Sequence, residues 1–358
     1  MAWQGIQGHD DIVELFRRSI DSGRLGSTFL FVGPSGVGKR TFAMKLAQSL
    51  LCDQAESRPL DPCGTCPQCA QVTALTHPDL DIVTKPPEKS AIPIKLLIGD
   101  KEHRMRDGLC ARIALKPMAG GRKFGIVDDA DHLNIEGANC LLKTLEEPPP
   151  RSVLILIGTS PQRQLPTIRS RSQIVRFKPL PIDVCADLIV QQGLEEDPAK
   201  ARQLAEMSGG SLTAAVKWSD PDLWSFRSDF LTRLASKNWN PVSLAKSITE
   251  FVDAAGKEAA KRRDRLRLVI GIAEQFFMQA MHQSVSAAVT GDDELKSLLS
   301  RYAAANLAPE TLADCVERCQ QARIQVDSNA NQSTLIECWV DDVSQLTLGK
   351  KLPHAIAW

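Results

Sequence analysis

Three groups of residues in this 358-residue chain have the types and spacing that chemistry needs. The first is Gly33-Pro34-Ser35-Gly36-Val37-Gly38-Lys39-Arg40-Thr41. Between an apolar strand and a helix, such a P-loop lets backbone N–H groups approach phosphates. The helix N-terminus adds partial positive charge, and Lys39 reaches the outer phosphates. Gly33, Gly36, Gly38, Lys39, Arg40 and Thr41 are therefore the candidate nucleotide contacts. The position after the lysine, where Ser or Thr ordinarily ligates magnesium, is Arg40. Thr41 comes one residue late, and one helical step turns a side chain by about 100°. The loop thus reads as impaired for turnover of ATP with magnesium, and nucleotide binding stays open.

The second group is Asp128-Asp129, which closes the apolar run Phe124 to Val127. Asp128 fits the metal-organising acid of a P-loop enzyme, a Walker B acid. The next position usually holds a glutamate that orients water; Asp129 is one methylene shorter, and a general base must lie within about 2.6–3.2 Å of its proton. The third group is Cys52, Cys63, Cys66 and Cys69, three of them inside Cys63-Gly64-Thr65-Cys66-Pro67-Gln68-Cys69. Four thiols at this spacing suit tetrahedral zinc in a closed structural site with no open position. Nearby His77 then reads as structural, because four thiols already fill the site.

Positioning these groups takes an alternation of strands and helices. A helix follows a cap at Asp10 or Asp11, with Ile12, Leu15, Phe16 and Ile20 at helical spacing. Strands are expected at 28–32, 81–83, 123–127, 152–158 and 173–177, buried at 28–32 and 123–127 and apolar at 152–158 and 173–177. Helices are expected from the P-loop to Leu51, over 94–112 and over 136–145, and a loop over 86–93. The pattern predicts an α/β domain with a parallel sheet over 1–180, carrying the zinc module at 52–69. After Pro179-Leu180-Pro181 the strand signal stops. Short helices are expected over 181–220 and longer ones over 221–358, giving a small helical second domain and an all-α third.

Lys and Arg number 43, as do Asp and Glu, so no global pull toward nucleic acid follows. Aromatics make up 5%, too few for base-stacking platforms. Lys261-Arg262-Arg263, Arg265 and Arg267 alternate with Glu258 and Asp264, which reads as a solvated helix face. No run reaches the roughly 18–20 apolar residues of a membrane span. The opening Met1-Ala2-Trp3-Gln4-Gly5 lacks the pattern of a secretory signal. A cytoplasmic protein with reduced thiols is expected, the cysteines outside the module being buried small apolar residues.

In this order the pieces resemble the AAA+ clamp-loader subunits of bacterial DNA polymerase III. The likeness is carried by the P-loop, the cysteine module, His77-Pro78-Asp79-Leu80, Asp128-Asp129-Ala130-Asp131 and Asn139-Cys140-Leu141-Leu142-Lys143-Thr144-Leu145-Glu146-Glu147-Pro148-Pro149. Thr159 resembles the sensor-1 position. Leu165 to Ser172 resembles the Ser-Arg-Cys segment, with Ser172 in place of the cysteine and Arg171 as an arginine finger acting in trans. Asn329-Ala330-Asn331 to Leu335-Ile336-Glu337 is similar to the last collar helix.

The resemblance implies a lid domain over 181–220, a collar over 221–358, and a heteropentamer with delta and gamma/tau subunits. It implies contact with the sliding clamp and primed DNA through that complex. Arg40, Asp129 and Thr213, the last at the sensor-2 arginine position, all depart from the motor subunits. With Arg171 retained and no long extension after residue 358, they point to the stator, delta-prime. Its own ATPase is expected to be weak or absent. The alternatives are an ATP-hydrolysing motor, marked by tight magnesium-dependent nucleotide binding, and a zinc protein that reads DNA. The acids Asp53, Glu56 and Asp61 beside the module oppose the latter.

Overall fold

The computed structural model describes residues 3–350 apart from 88, 101, 104–105, 120, 237–238 and 303–306. Met1, Ala2 and residues 351–358 of the expected third domain lie outside the described residues. The chain forms two compact units, residues 1–216 and 217–358.

The first unit runs α1 (Asp10–Asp21), β1 (Thr28–Val32), α2 (Lys39–Leu51), α3 (Pro67–Thr73), β2 (Leu80–Val83), α4 (Ile94–Ile98), α5 (Leu109–Ala114) and β3 (Lys123–Val127). It continues with α6 (Ile135–Glu146), β4 (Ser152–Gly158), α7 (Pro166–Arg169), β5 (Gln173–Arg176), α8 (Ile182–Gln191) and α9 (Pro198–Met207). Helix α10 (Leu212–Trp218) crosses the division.

The five strands are parallel, in the order β2-β3-β4-β1-β5. All residues of β1, β3 and β4 are buried, as the unbroken apolar runs require of strands covered on both faces. Side chains alternate between the faces. Phe29 and Phe31 pack with Phe16 of α1 and Phe42 of α2, whereas Leu30 and Val32 pack with Leu97, Leu109 and Leu141 of the opposite layer. Val32 pairs with Gly158, and Val127 pairs with both Val83 and Leu156. The inner strands therefore end together, and Gly33, Asp128 and Thr159 emerge along one edge. Ligands of open parallel sheets bind at this carboxyl edge.

One expected element differs. The helix foreseen over 94–112 is two short helices, α4 and α5, with residues 101, 104 and 105 outside the described part. Gly99 and Gly108 both have positive φ, at 83° and 84°. A Cβ on Gly108 would sit 2.6 Å from the backbone nitrogens of Ile98 and Gly99, so the chain doubles back where only glycine fits.

The second unit is helical: α11 (Pro221–Leu234), α12 (Pro241–Asp253), α13 (Ala259–Ser284), α14 (Asp293–Tyr302), α15 (Pro309–Asp327) and α16 (Gln332–Thr347). Phe276, Phe277, Tyr302, Cys315, Cys319 and Trp339 are among its buried residues. Arg227, itself buried, donates to Asp292 at 2.8 Å and Glu294 at 2.6 Å. No helix among the described residues is long and apolar enough to cross a membrane.

Candidate functional site

At the carboxyl edge of β1, β3 and β4 lies a cleft of about 630 Å³, lined by the P-loop, the strand-end acids, Thr159 and Thr213. The P-loop wraps the start of α2. Lys39 is buried, and its ammonium donates to the carbonyls of Gly33 at 2.7 Å and Pro34 at 2.6 Å. Burial pulls this ammonium below its usual range, against the upward pull of Asp131, Asp128 and Asp129.

The segment before α10 lies against the loop. Ser211 Oγ donates to the Ser35 carbonyl at 2.7 Å, and Leu212 N donates to the Gly36 carbonyl at 3.0 Å. Gly36 has φ +73°, and a Cβ there would stand 2.6 Å from Ser211 Oγ and Thr213 N. The second half of the glycine pattern is thus a close approach between two backbones as well as a phosphate cradle. His9, which the sequence did not single out, is buried below the loop with Nε2 2.6 Å from the Val37 carbonyl.

Arg40 and Asp128 meet. Arg40 Nη1 donates to Asp128 Oδ2 at 3.1 Å. Burial and the neighbouring Asp129 push the Asp128 carboxyl up from its ordinary range, while Arg40 and the Asp129 N–H pull it down. Asp129 has φ +58° and is exposed. Magnesium demands octahedral oxygen ligands, and a guanidinium offers none. The residues at this position do not fit a metal held between the P-loop and the strand-end acid.

Asp131 is the residue that sequence reasoning missed here. Its carboxylate accepts from Thr159 N at 2.8 Å and Gln164 Nε2 at 2.7 Å. It therefore fixes Thr159 at the rim of the cleft. The signal was the third acid of Asp128-Asp129-Ala130-Asp131, which had no evident partner nearby in the chain.

Arg171 is not among the residues that line this cleft. It follows α7, and its side chain keeps 34% of its surface exposed. Nη2 lies 2.7 Å from Glu146 Oε1 at the end of α6, and Nη1 donates to the Thr167 carbonyl at 3.1 Å. Two contacts tie the guanidinium to α6 and α7.

The four cysteines do come together. Their sulfurs all lie within 4.8 Å of one another, with Cys52 and Cys63 at 3.6 Å. Four sulfurs around zinc at 2.3 Å would stand about 3.8 Å apart, so the set fits a tetrahedral ion. Backbone N–H groups point at the sulfurs, as Cys66 N does to Cys63 and Cys69 N to Cys66, each at 3.4 Å. The N–H groups of Thr65 and Cys66 hold the Cys63 thiol down to about 6, whereas burial pushes Cys69 up. The module is tied to α2 by Gln48, which donates to the Cys69 carbonyl at 3.1 Å. His77 stands apart from the sulfurs in role: its Nδ1 accepts from Asp79 N at 3.0 Å.

A phosphate loop after an inner parallel strand, β1, with acids at the end of β3, defines a P-loop domain. Residues 8–181 match a family model described as DNA polymerase III, delta subunit. Over 188 residues the chain is 37% identical to the DNA polymerase III subunit delta' of Pseudomonas aeruginosa, covering 52% of this chain and 54% of that protein. It is 33% identical over 211 residues to the subunit delta' of Bacillus subtilis, 59% of each chain. The gamma/tau subunit of Mycobacterium tuberculosis is 31% identical over 210 residues, which is 58% of this chain and 34% of that one. This chain thus spans little more than half the length of the delta' relatives. Among solved structures, a gamma subunit-related protein of Thermotoga maritima aligns with 94% of this chain and 99% of that one, at 17% identity and a TM-score of 0.39. Over residues 8–181 the chain is thus similar to the delta' and gamma/tau subunits of DNA polymerase III.

Proposed function

We propose that this chain is a delta-prime-like stator of the clamp loader. In that role it sits with delta and gamma/tau subunits in a heteropentamer and helps load the sliding clamp onto primed DNA. It supplies Arg171 as an arginine finger to a neighbour's ATP site, where a guanidinium stabilises charge developing on the transferred phosphoryl group. Residues 181–220 act as its lid and 221–358 as its collar. Cys52, Cys63, Cys66 and Cys69 hold a structural zinc ion.

The observation that carries this reading is the ion pair at 3.1 Å between Arg40 and Asp128. The two positions that would share a catalytic metal neutralise each other, so the chain's own cleft is not equipped for turnover. Arg171, outside that cleft, is the guanidinium left for a partner's site. The Glu146 pair supports this as a positioning contact, because exposed ion pairs contribute only about 0–1 kcal/mol and release a guanidinium readily.

The 31% identity to gamma/tau over 210 residues favours a second reading, an ATP-hydrolysing motor of the same loader. Steady-state ATPase measurements on the purified chain separate the two. The stator has a rate at background, unaffected by Lys39→Ala; brisk hydrolysis that Lys39→Ala abolishes would leave only the motor.

A further inference from the structure

The cleft keeps its positive charge where it has lost its place for a metal. Lys39 and Arg40 both line it, opposite Asp128, Asp129 and Asp131. A dication and a guanidinium compete for the same carboxylate, and Arg40 already lies 3.1 Å from Asp128 Oδ2. Arg stays protonated at any physiological pH, so this competitor does not titrate away. A guanidinium also has five N–H donors, and the contact with Asp128 uses one. The others suit phosphate oxygens, which Arg binds through charge-assisted hydrogen bonds. Asp131 does not restore a metal site, because its two oxygens are taken by Thr159 and Gln164.

We propose that this cleft binds the phosphates of a nucleoside di- or triphosphate without a divalent cation, Arg40 on Asp128 standing in the metal's place. The ligand is then held but not activated, and nucleotide serves to brace the P-loop against the segment at Ser211 and Leu212. The idea rests on the phosphate-loop reading of the cleft and not on the stator role of Arg171.

Isothermal titration of the full chain with ADP and with ATP, in EDTA and in excess magnesium, tests it. Wild type should bind in EDTA, and magnesium should leave the affinity unchanged or lower it by sequestering free nucleotide. Lys39→Ala should lose the binding, which locates it at this loop. Arg40→Thr restores the ordinary hydroxyl and frees Asp128, so its affinity should rise by about tenfold or more on adding magnesium, 1.4 kcal/mol per decade. Arg40→Lys, which keeps a cation at the position, should stay magnesium-independent. Wild type that binds no nucleotide in EDTA, or binds more tightly with magnesium, overturns the proposal, as does an Arg40→Thr variant that remains indifferent to magnesium. The wild-type comparison decides even if a variant does not fold. Cation preference is read on the isolated chain and the finger role on the assembled loader, so either can fail without the other.

Discussion

At the scale of single residues, the most consequential carboxylates are those whose partners lie far along the chain. Asp79 is fully buried and accepts from Met118 N and Ala119 N at 2.9 Å and from Lys123 Nζ at 3.2 Å. Burial raises its carboxyl, yet the two N–H groups and Lys123 outweigh that and hold it below its ordinary range. Asp79→Ala strands the Lys123 ammonium, whose side chain is 4% exposed, and should cost about 3–5 kcal/mol in urea unfolding. Because its folded value is depressed, the stability Asp79 contributes is present above the usual carboxylate range and lost as pH falls through its lowered value. A wild-type stability profile that stays flat below pH 4 would rule this out. His77-Pro78-Asp79-Leu80 was legible as a motif, but its work was not: the partners of Asp79 stand 39 to 44 residues further on. Asp131 escaped notice for the same reason, with Thr159 and Gln164 28 and 33 residues away. Arg40 was legible as a departure from the P-loop pattern, and only the three-dimensional pairing shows that it meets Asp128.

At the scale of elements, unbroken apolar runs were the clearest signal, and β1, β3 and β4 lie where such runs predict buried strands. Helical periodicity served less well over 94–112, where Gly99 and Gly108, both at positive φ, part α4 from α5. The basic stretch of α13 is accounted for within the second unit. Arg267 pairs with Asp264 and Asp327, Arg262 with Asp253, Arg263 with Asn329, and Arg265 with Asp220 and the face of Phe251. The cysteine module is the element most dependent on something besides its own packing. Helix α3 has seven residues, too few to stand alone, and Cys66 caps it. Structural zinc contributes on the order of 10–16 kcal/mol in small zinc peptides at pH 7. Cys66→Ser, or chelation of the wild type, should therefore release about one zinc per chain. It should also open residues 52–73 to proteolysis while the sheet keeps its circular dichroism. A preparation that contains no zinc and resists proteolysis there would contradict the structural-zinc reading.

At the scale of the whole molecule, the net charge is zero, and the arginines of the basic stretch of α13 are paired within the second unit. Arg40 pairs with Asp128 at 3.1 Å in the cleft, and Arg171 is not among the residues that line it. The central claim is that the chain acts on a neighbour's nucleotide and not on its own. The most direct test is the DNA- and clamp-stimulated ATPase rate of a loader assembled with wild type, Arg171→Ala or Lys39→Ala, with assembly verified by size exclusion. The account predicts a loss of about 10³-fold or more at the one site Arg171 serves, seen as a fractional drop in the total rate, and no change for Lys39→Ala. An unchanged rate with Arg171→Ala, together with a fall on Lys39→Ala, would contradict it.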